Sequence, residues 1–101
     1  MTRDELLSAI ERDDTIENMD LSGLDLTGLD LSGARFHKCI FHGTIFTNAK
    51  IHRTGFRQCD FRGARIEAVD LTKAVWARMD LRDAIFRNAI FHRTVLSGAD
   101  L

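Results

Sequence analysis

The sequence contains no proline, only two cysteines, and no apolar run long enough to cross a membrane. Each shortage removes a class of protein. A chain without proline-rich or low-complexity stretches, with 45% hydrophobic residues, does not have the composition of a disordered segment. Its 101 residues make one domain with a modest core. No stretch approaches the roughly 20 apolar residues of a transmembrane helix. Met1-Thr2-Arg3-Asp4-Glu5 is the wrong chemistry for a signal peptide, so cytoplasmic synthesis is expected.

Charge is nearly balanced at −1, yet it is unevenly spread. Residues 1–33 carry nine acids and two bases, net −7, whereas residues 34–101 carry six acids and twelve bases, net +6. The chain is therefore an axial dipole, which can guide association and also keeps a protein soluble.

What is present is a five-residue beat. From Leu21 through Leu26, Leu31, Phe36 and onward to Phe91, Leu96 and Leu101, every fifth residue is large and apolar, at seventeen consecutive positions. Two residues before each centre sits a small or apolar side chain, commonly Ala, Cys or Thr. An α-helix excludes this period, since five residues advance a side chain by about 500° and the centres would spray around the cylinder. A straight strand excludes it too, because an odd period alternates faces. The chain must turn once in each repeat. The turn falls two residues after the centre, where Gly23, Gly28, Gly33, Gly43, Gly63, Gly98, Asn48 and Asn88 sit. A short edge and a corner at constant spacing close into a β-solenoid.

Units such as Leu24-Asp25-Leu26-Thr27-Gly28, Ala34-Arg35-Phe36-His37-Lys38 and Ala99-Asp100-Leu101 resemble the pentapeptide-repeat family over residues 19–101. The resemblance implies an all-β fold, a right-handed quadrilateral β-helix with four repeats per coil. The chain would make about four coils stacked ~4.8 Å apart. Residues twenty apart would then stack, Phe36 over Phe56, Phe41 over Phe61 and Leu71 over Phe91. Met19, Leu24, Leu29 and Met79 would fill the inward slot ahead of the centre. Cys39 and Cys59 occupy the same slot and read as buried free thiols of a reducing compartment.

Residues 1–18 form a separate capping segment. Thr2-Arg3-Asp4-Glu5 matches a capping box, and a short helix over about residues 3–12 would lay Leu6, Leu7 and Ile10 over the open end of the stack. Asp13-Asp14 makes the turn, and Ile16 is already in register.

A filled rod has no concave interior, and pockets are where small-molecule sites normally lie. His37, His42, His52 and His92 all follow a centre, and no two are twenty apart, so they read as solvated surface histidines rather than metal ligands. There is no catalytic constellation and no phosphate-cradling loop. The expectation is a protein that is not an enzyme, with no cofactor, no metal, no small-molecule substrate and no membrane partner.

Function must then lie on the faces and ends. Two adjacent faces carry Arg35, Lys38, Lys50, Arg53, Arg57, Lys73, Arg78 and Arg93 and form a basic side, a candidate contact for an acidic partner. Near the chain's end, Val75, Ile85, Phe86, Ile90, Phe91, Val95, Leu96 and Leu101 form an apolar candidate interface. Either this end is covered in a homodimer or by a partner, or the natural chain continues. End-to-end dimers are what the resemblance to quinolone-resistance members implies.

Three functions follow. The leading one is a non-enzymatic scaffold or protein–protein interaction module of bacterial type; the run Asp20 to Gly28 resembles stretches in proteins encoded beside secretion systems. The second is a DNA-mimicking topoisomerase (gyrase) modulator, disfavoured because such rods are strongly acidic. The third is weak, salt-dependent nucleic-acid binding by the basic side, disfavoured because the aromatic residues all face inward.

Overall fold

A computed structural model describes residues 1–100; Leu101, the last residue of the expected interface, lies outside the described residues. The order is α1 (Arg3–Glu11), then β1 (Thr15–Glu17), β2 (Arg35–His37), β3 (Gly55–Arg57), β4 (Val75–Ala77) and β5 (Val95–Ser97). The five strands make one parallel sheet in sequence order. Partners are always twenty residues apart, as in Phe36 opposite Phe56 and Trp76 opposite Leu96. The other three faces are joined by isolated parallel bridges in the same register, such as Asp20 to Ile40 to Asp60. The result is a four-sided parallel β-solenoid of about four turns.

The first coil begins where Ile16 enters the five-residue register, ahead of the repeat motif proper. The boundary expected at residue 19 moves ahead of Thr15, because β1 pairs with β2 along its length. Ile16, 3% exposed, is the first centre of the core.

The corners explain the beat. Every fifth residue from Asp13 to Gly98 has a positive φ: six glycines and twelve other residues, among them Lys38, Arg53, Ala68 and Arg93. At nine of these corners the N–H of the next residue donates to the carbonyl of the centre, as in Leu24 to Leu21 and Ala84 to Leu81. Positive φ at the third residue of such a turn favours Gly or Asn. The structure nevertheless places long cations there. Stacking against the coils on either side outweighs a strain of ~1–2 kcal/mol per non-glycine corner.

Inside, the centres form aromatic ladders. The ring centroids of Phe36 and Phe56 lie 4.7 Å apart at 7°, and those of Phe41 and Phe61 lie 4.7 Å apart. Trp76 extends the first ladder, 5.3 Å from Phe56, with its indole N–H buried and unpartnered. Polar residues in the slot before the centre are satisfied by carbonyls: Thr44 donates to Leu21 at 2.8 Å, and Thr54 donates to Ile51. Expectation fails at the first coil. Met19 is 41% exposed and Leu24 and Leu29 are half-buried, whereas Met79 in the same slot of a later coil is 1% exposed, so their place in the first coil of the stack rather than their size leaves them open.

The helix carries the reciprocal capping box, Glu5 N–H to Thr2 Oγ1 at 3.2 Å and Thr2 N–H to Glu5 Oε1 at 3.1 Å. Leu6 is fully buried, but its companion is Ala9, with Leu7 and Ile10 only partly covered. A small residue at Ala9 lets the helix lie close to the first coil.

Two substitutions separate these contributions. Ala68, with φ 54°, sits at an exposed corner. Ala68→Gly should raise the unfolding free energy by about 0.5–1 kcal/mol, strain relief partly offset by unfolded-chain entropy. Phe56→Ala, inside the ladder, should lower it by about 3–5 kcal/mol. Urea unfolding followed by circular dichroism reads both.

Candidate functional site

The surface divides by how its cations are partnered. On the acidic side, Arg62 donates to Asp60 at 2.8 Å and reaches Asp80 at 3.7 Å, and Arg82 donates to Asp80 at 2.7 Å. Arg65 pairs with Glu67 at 2.8 Å, and Arg12 with Asp14 at 3.1 Å. These charges are spent locally.

The expected basic side differs. Of its eight residues only Arg35 is engaged: its Nη1 donates to Asp13 Oδ1 at 3.2 Å, its Nη2 to the Asp13 carbonyl at 2.7 Å and its Nε to Thr15 Oγ1 at 3.2 Å. Arg35 therefore ties the turn after α1 to the sheet. Lys38, Lys50, Arg53, Arg57, Lys73, Arg78 and Arg93 form no ion pair among the described residues.

Their positions follow from the corners. Arg53, Lys73 and Arg93 share one corner column, and Lys38 and Arg78 share the next. The two columns border the five-stranded sheet on either side, with Arg57 on β3 between them. On β4 and β5 the outward residues are small or aliphatic, with Val75 49% and Val95 44% exposed. Cation-lined edges beside an aliphatic strip give this face a positive local field.

The expected apolar end is open. Ile90 is 54%, Phe91 46% and Ile85 37% exposed, while Phe86 and Leu96 are half-covered.

Three of the four histidines are less solvated than the sequence implied, while His92 is exposed. His42 Nε2 is 2.6 Å from Asp60 Oδ2, His52 Nε2 is 3.1 Å from Ser32 Oγ, and His37 Nε2 is 3.0 Å from Gln58 Oε1. No group of three or more His, Cys, Asp or Glu able to hold a metal occurs among the described residues. Cys39 and Cys59 are free and buried. A hydrogen bond with Cys39, together with burial, pushes the Cys59 thiol up, away from the thiolate that nucleophilic chemistry needs.

Sequence reasoning missed the job of the aspartates. Asp20, Asp25, Asp30, Asp60, Asp70 and Asp80, each just before a centre, accept from the backbone N–H two residues on, at 2.9–3.2 Å. The Asp-x-Ser/Thr spacing was the available signal, since such side chains close a local turn.

A sequence model described as pentapeptide repeats matches residues 17–53, 25–63 and 64–101, in eight copies. No curated protein matches the chain. Among solved structures, a pentapeptide repeat protein (Rfr23) from the cyanobacterium Cyanothece 51142 is similar at TM-score 0.79 and 23% identity, over 83% of this chain and 58% of that one. A trypsin-treated form of QnrB1, a plasmid-mediated fluoroquinolone resistance protein, is similar at TM-score 0.55 and 25% identity, over 86% and 50%. The chain thus spans 58% and 50% of these two proteins.

The aspartates give the fold a pH dependence of defined sign. Side-chain and backbone hydrogen bonds from Ser22, Thr27, Ser32 and Thr72 hold Asp20, Asp25, Asp30 and Asp70 below the ordinary carboxylate range. Burial raises Asp60, but bonds from Arg62 and His42 outweigh it and its carboxyl also lies low. Lowered folded-state values mean stability that is present above the unfolded value near ~3.9 and is lost as pH falls through the folded ones. The melting temperature should therefore drop between about pH 5 and pH 2. Asp60→Asn should lower it at neutral pH and flatten the acid decline, as calorimetry across that range would show.

Proposed function

Since this chain belongs to the pentapeptide-repeat family, whose members are generally structural or interaction modules, we propose that it is a non-enzymatic scaffold that binds an acidic protein through its basic side. The observation that carries this reading is the selective absence of partners. On the acidic faces Arg62, Arg65 and Arg82 are matched to carboxylates and only Arg87 is not, whereas seven of eight cations on the basic side form no ion pair among the described residues. Unmatched charge on one face repels itself and gains energy when an opposite surface arrives, so it favours association over stability.

The filled core supports a surface-based role, with the centres from Leu21 to Trp76 at most 1% exposed. A bacterial setting, including association with a secretion system, is consistent with the repeat run Asp20 to Gly28 and stays part of this proposal. The likeness to QnrB1 raises topoisomerase modulation by DNA mimicry as an alternative. The unpaired cations disfavour it, because a duplex mimic must present negative charge.

The exposed Ile90 and Phe91 favour a second contact, self-association through the last coil. Sedimentation velocity at rising concentration should then show a dimer that Phe91→Glu dissolves; a monomer throughout overturns this contact.

The acidic-partner reading is checked with dye-labelled oligo-glutamate. Binding should weaken steeply with salt. The triple change Arg57→Glu, Lys73→Glu and Arg78→Glu should lower affinity by about tenfold or more while leaving the circular dichroism spectrum unchanged. Equal binding by the triple variant overturns the reading.

A further inference from the structure

Gly55 does not fit the logic of the other glycines. Six of the seven sit at corners with positive φ, where the backbone favours them. Gly55 instead opens β3, in the position before a centre, with no positive φ. Nothing lies within 4 Å of a Cβ built there, so neither backbone angle nor crowding calls for glycine. Glycine inside a strand weakens it and often marks a close approach by a ligand or another chain.

Its column explains what the missing side chain does. The outward residues run Arg35, Gly55, Val75, Val95 along β2 to β5. Beside Arg35 the missing side chain leaves a shallow notch of about 320 Å³ that runs from β1 to β3, bounded by Thr15, Glu17, Arg35, His37 and Arg57 over Phe36. Two of its walls are held in place before anything binds: Arg35 by Asp13 and Thr15, and His37 by Gln58 at 3.0 Å. Arg57 is unpaired and free to offer both arms of its guanidinium.

We propose that this notch seats a carboxylate side chain from an acidic segment of a partner protein, held by Arg57 against the fixed wall of Arg35. The inference rests on the acidic-partner reading above and adds to it where the partner docks. Charge complementarity fixes the occupant. Residues 53–58, 73–78 and 93–98 carry five cations and no acid, whereas Glu17 and Asp13 lie at the β1 end. The carboxylate is therefore seated at the Gly55 end of the notch, between Arg35 and Arg57 and away from Glu17 at the β1 end, and the rest of the acidic segment runs over β3 to β5. The surroundings argue for protein over nucleic acid. Beyond the notch the face offers Val75 and Val95 rather than a row of exposed aromatic rings on which successive bases could stack, and a phosphate backbone needs no notch. The notch is open to solvent and too shallow to enclose a free small molecule. Walls already held in position reduce the ordering cost of binding.

The test fills the notch without touching any charge. Gly55→Val continues the Val75 and Val95 column and should raise the melting temperature by about 4 °C or more. The same variant should weaken binding of dye-labelled oligo-glutamate by about tenfold or more, the size expected for losing a charge-assisted hydrogen bond. Gly55→Ala, which adds only a methyl group, should fall between. Such a variant, more stable yet poorer at binding, supports the notch. If Gly55→Val and Gly55→Ala bind as the natural chain does while the triple charge reversal does not, the notch is overturned and the acidic-partner reading stands. If oligothymidylate of equal charge binds more tightly than oligo-glutamate, the protein partner is overturned. If neither probe binds the natural chain, both readings fall.

Discussion

Each coil is hydrogen-bonded to the coils above and below it in a parallel register of twenty residues. Asp60 N–H donates to Cys39 while its carbonyl accepts from Phe41, and the same exchange recurs at Asp80 with Cys59 and Phe61. This ladder places like position over like. Aromatic centres therefore stack into columns, Thr44 and Thr94 reach carbonyls of the coil before, and charges of one sign line up along a corner. Columns are both the source of stability and the way surface character is set.

The register also decides which local costs the chain can carry. Arg53, Lys73 and Arg93 have positive φ and share one column, so backbone strain and like-charge repulsion coincide there. Gly33, in the same column between Asp13 and Arg53, carries neither. The acidic faces solve the charge problem differently, interleaving Arg62 and Arg82 with Asp60 and Asp80. Two ways of arranging charge on one backbone separate a face that is internally satisfied from one that is not.

Much of the architecture was legible from the beat of Leu21, Phe36 and Phe41, because only a chain that turns every five residues can bury them all. The capping helix was legible from Thr2 and Glu5. What the beat could not show was individual partnership. Arg35 looked like any basic-side residue, but Asp13, twenty-two positions away, claims it only once the turn after α1 folds back. Met19 and Leu24 looked inward by position, as Met79 is, but in the first coil they stay partly open. The histidines looked solvated because their partners, Asp60 for His42 and Ser32 for His52, lie about one coil away. Gly55 was visible as an out-of-phase glycine, yet its meaning needed the neighbours that the sheet supplies.

The twenty-residue register makes the molecule a ruler. Adding or removing one whole coil would leave every column and face intact, so the length of a binding face can change without altering its chemistry. A single inserted residue would instead shift all that follows by one place, turning Asp60 or Arg62 toward the interior and Phe61 toward water. Such a chain can grow only in full turns, and its contact surface lengthens in steps of one strand.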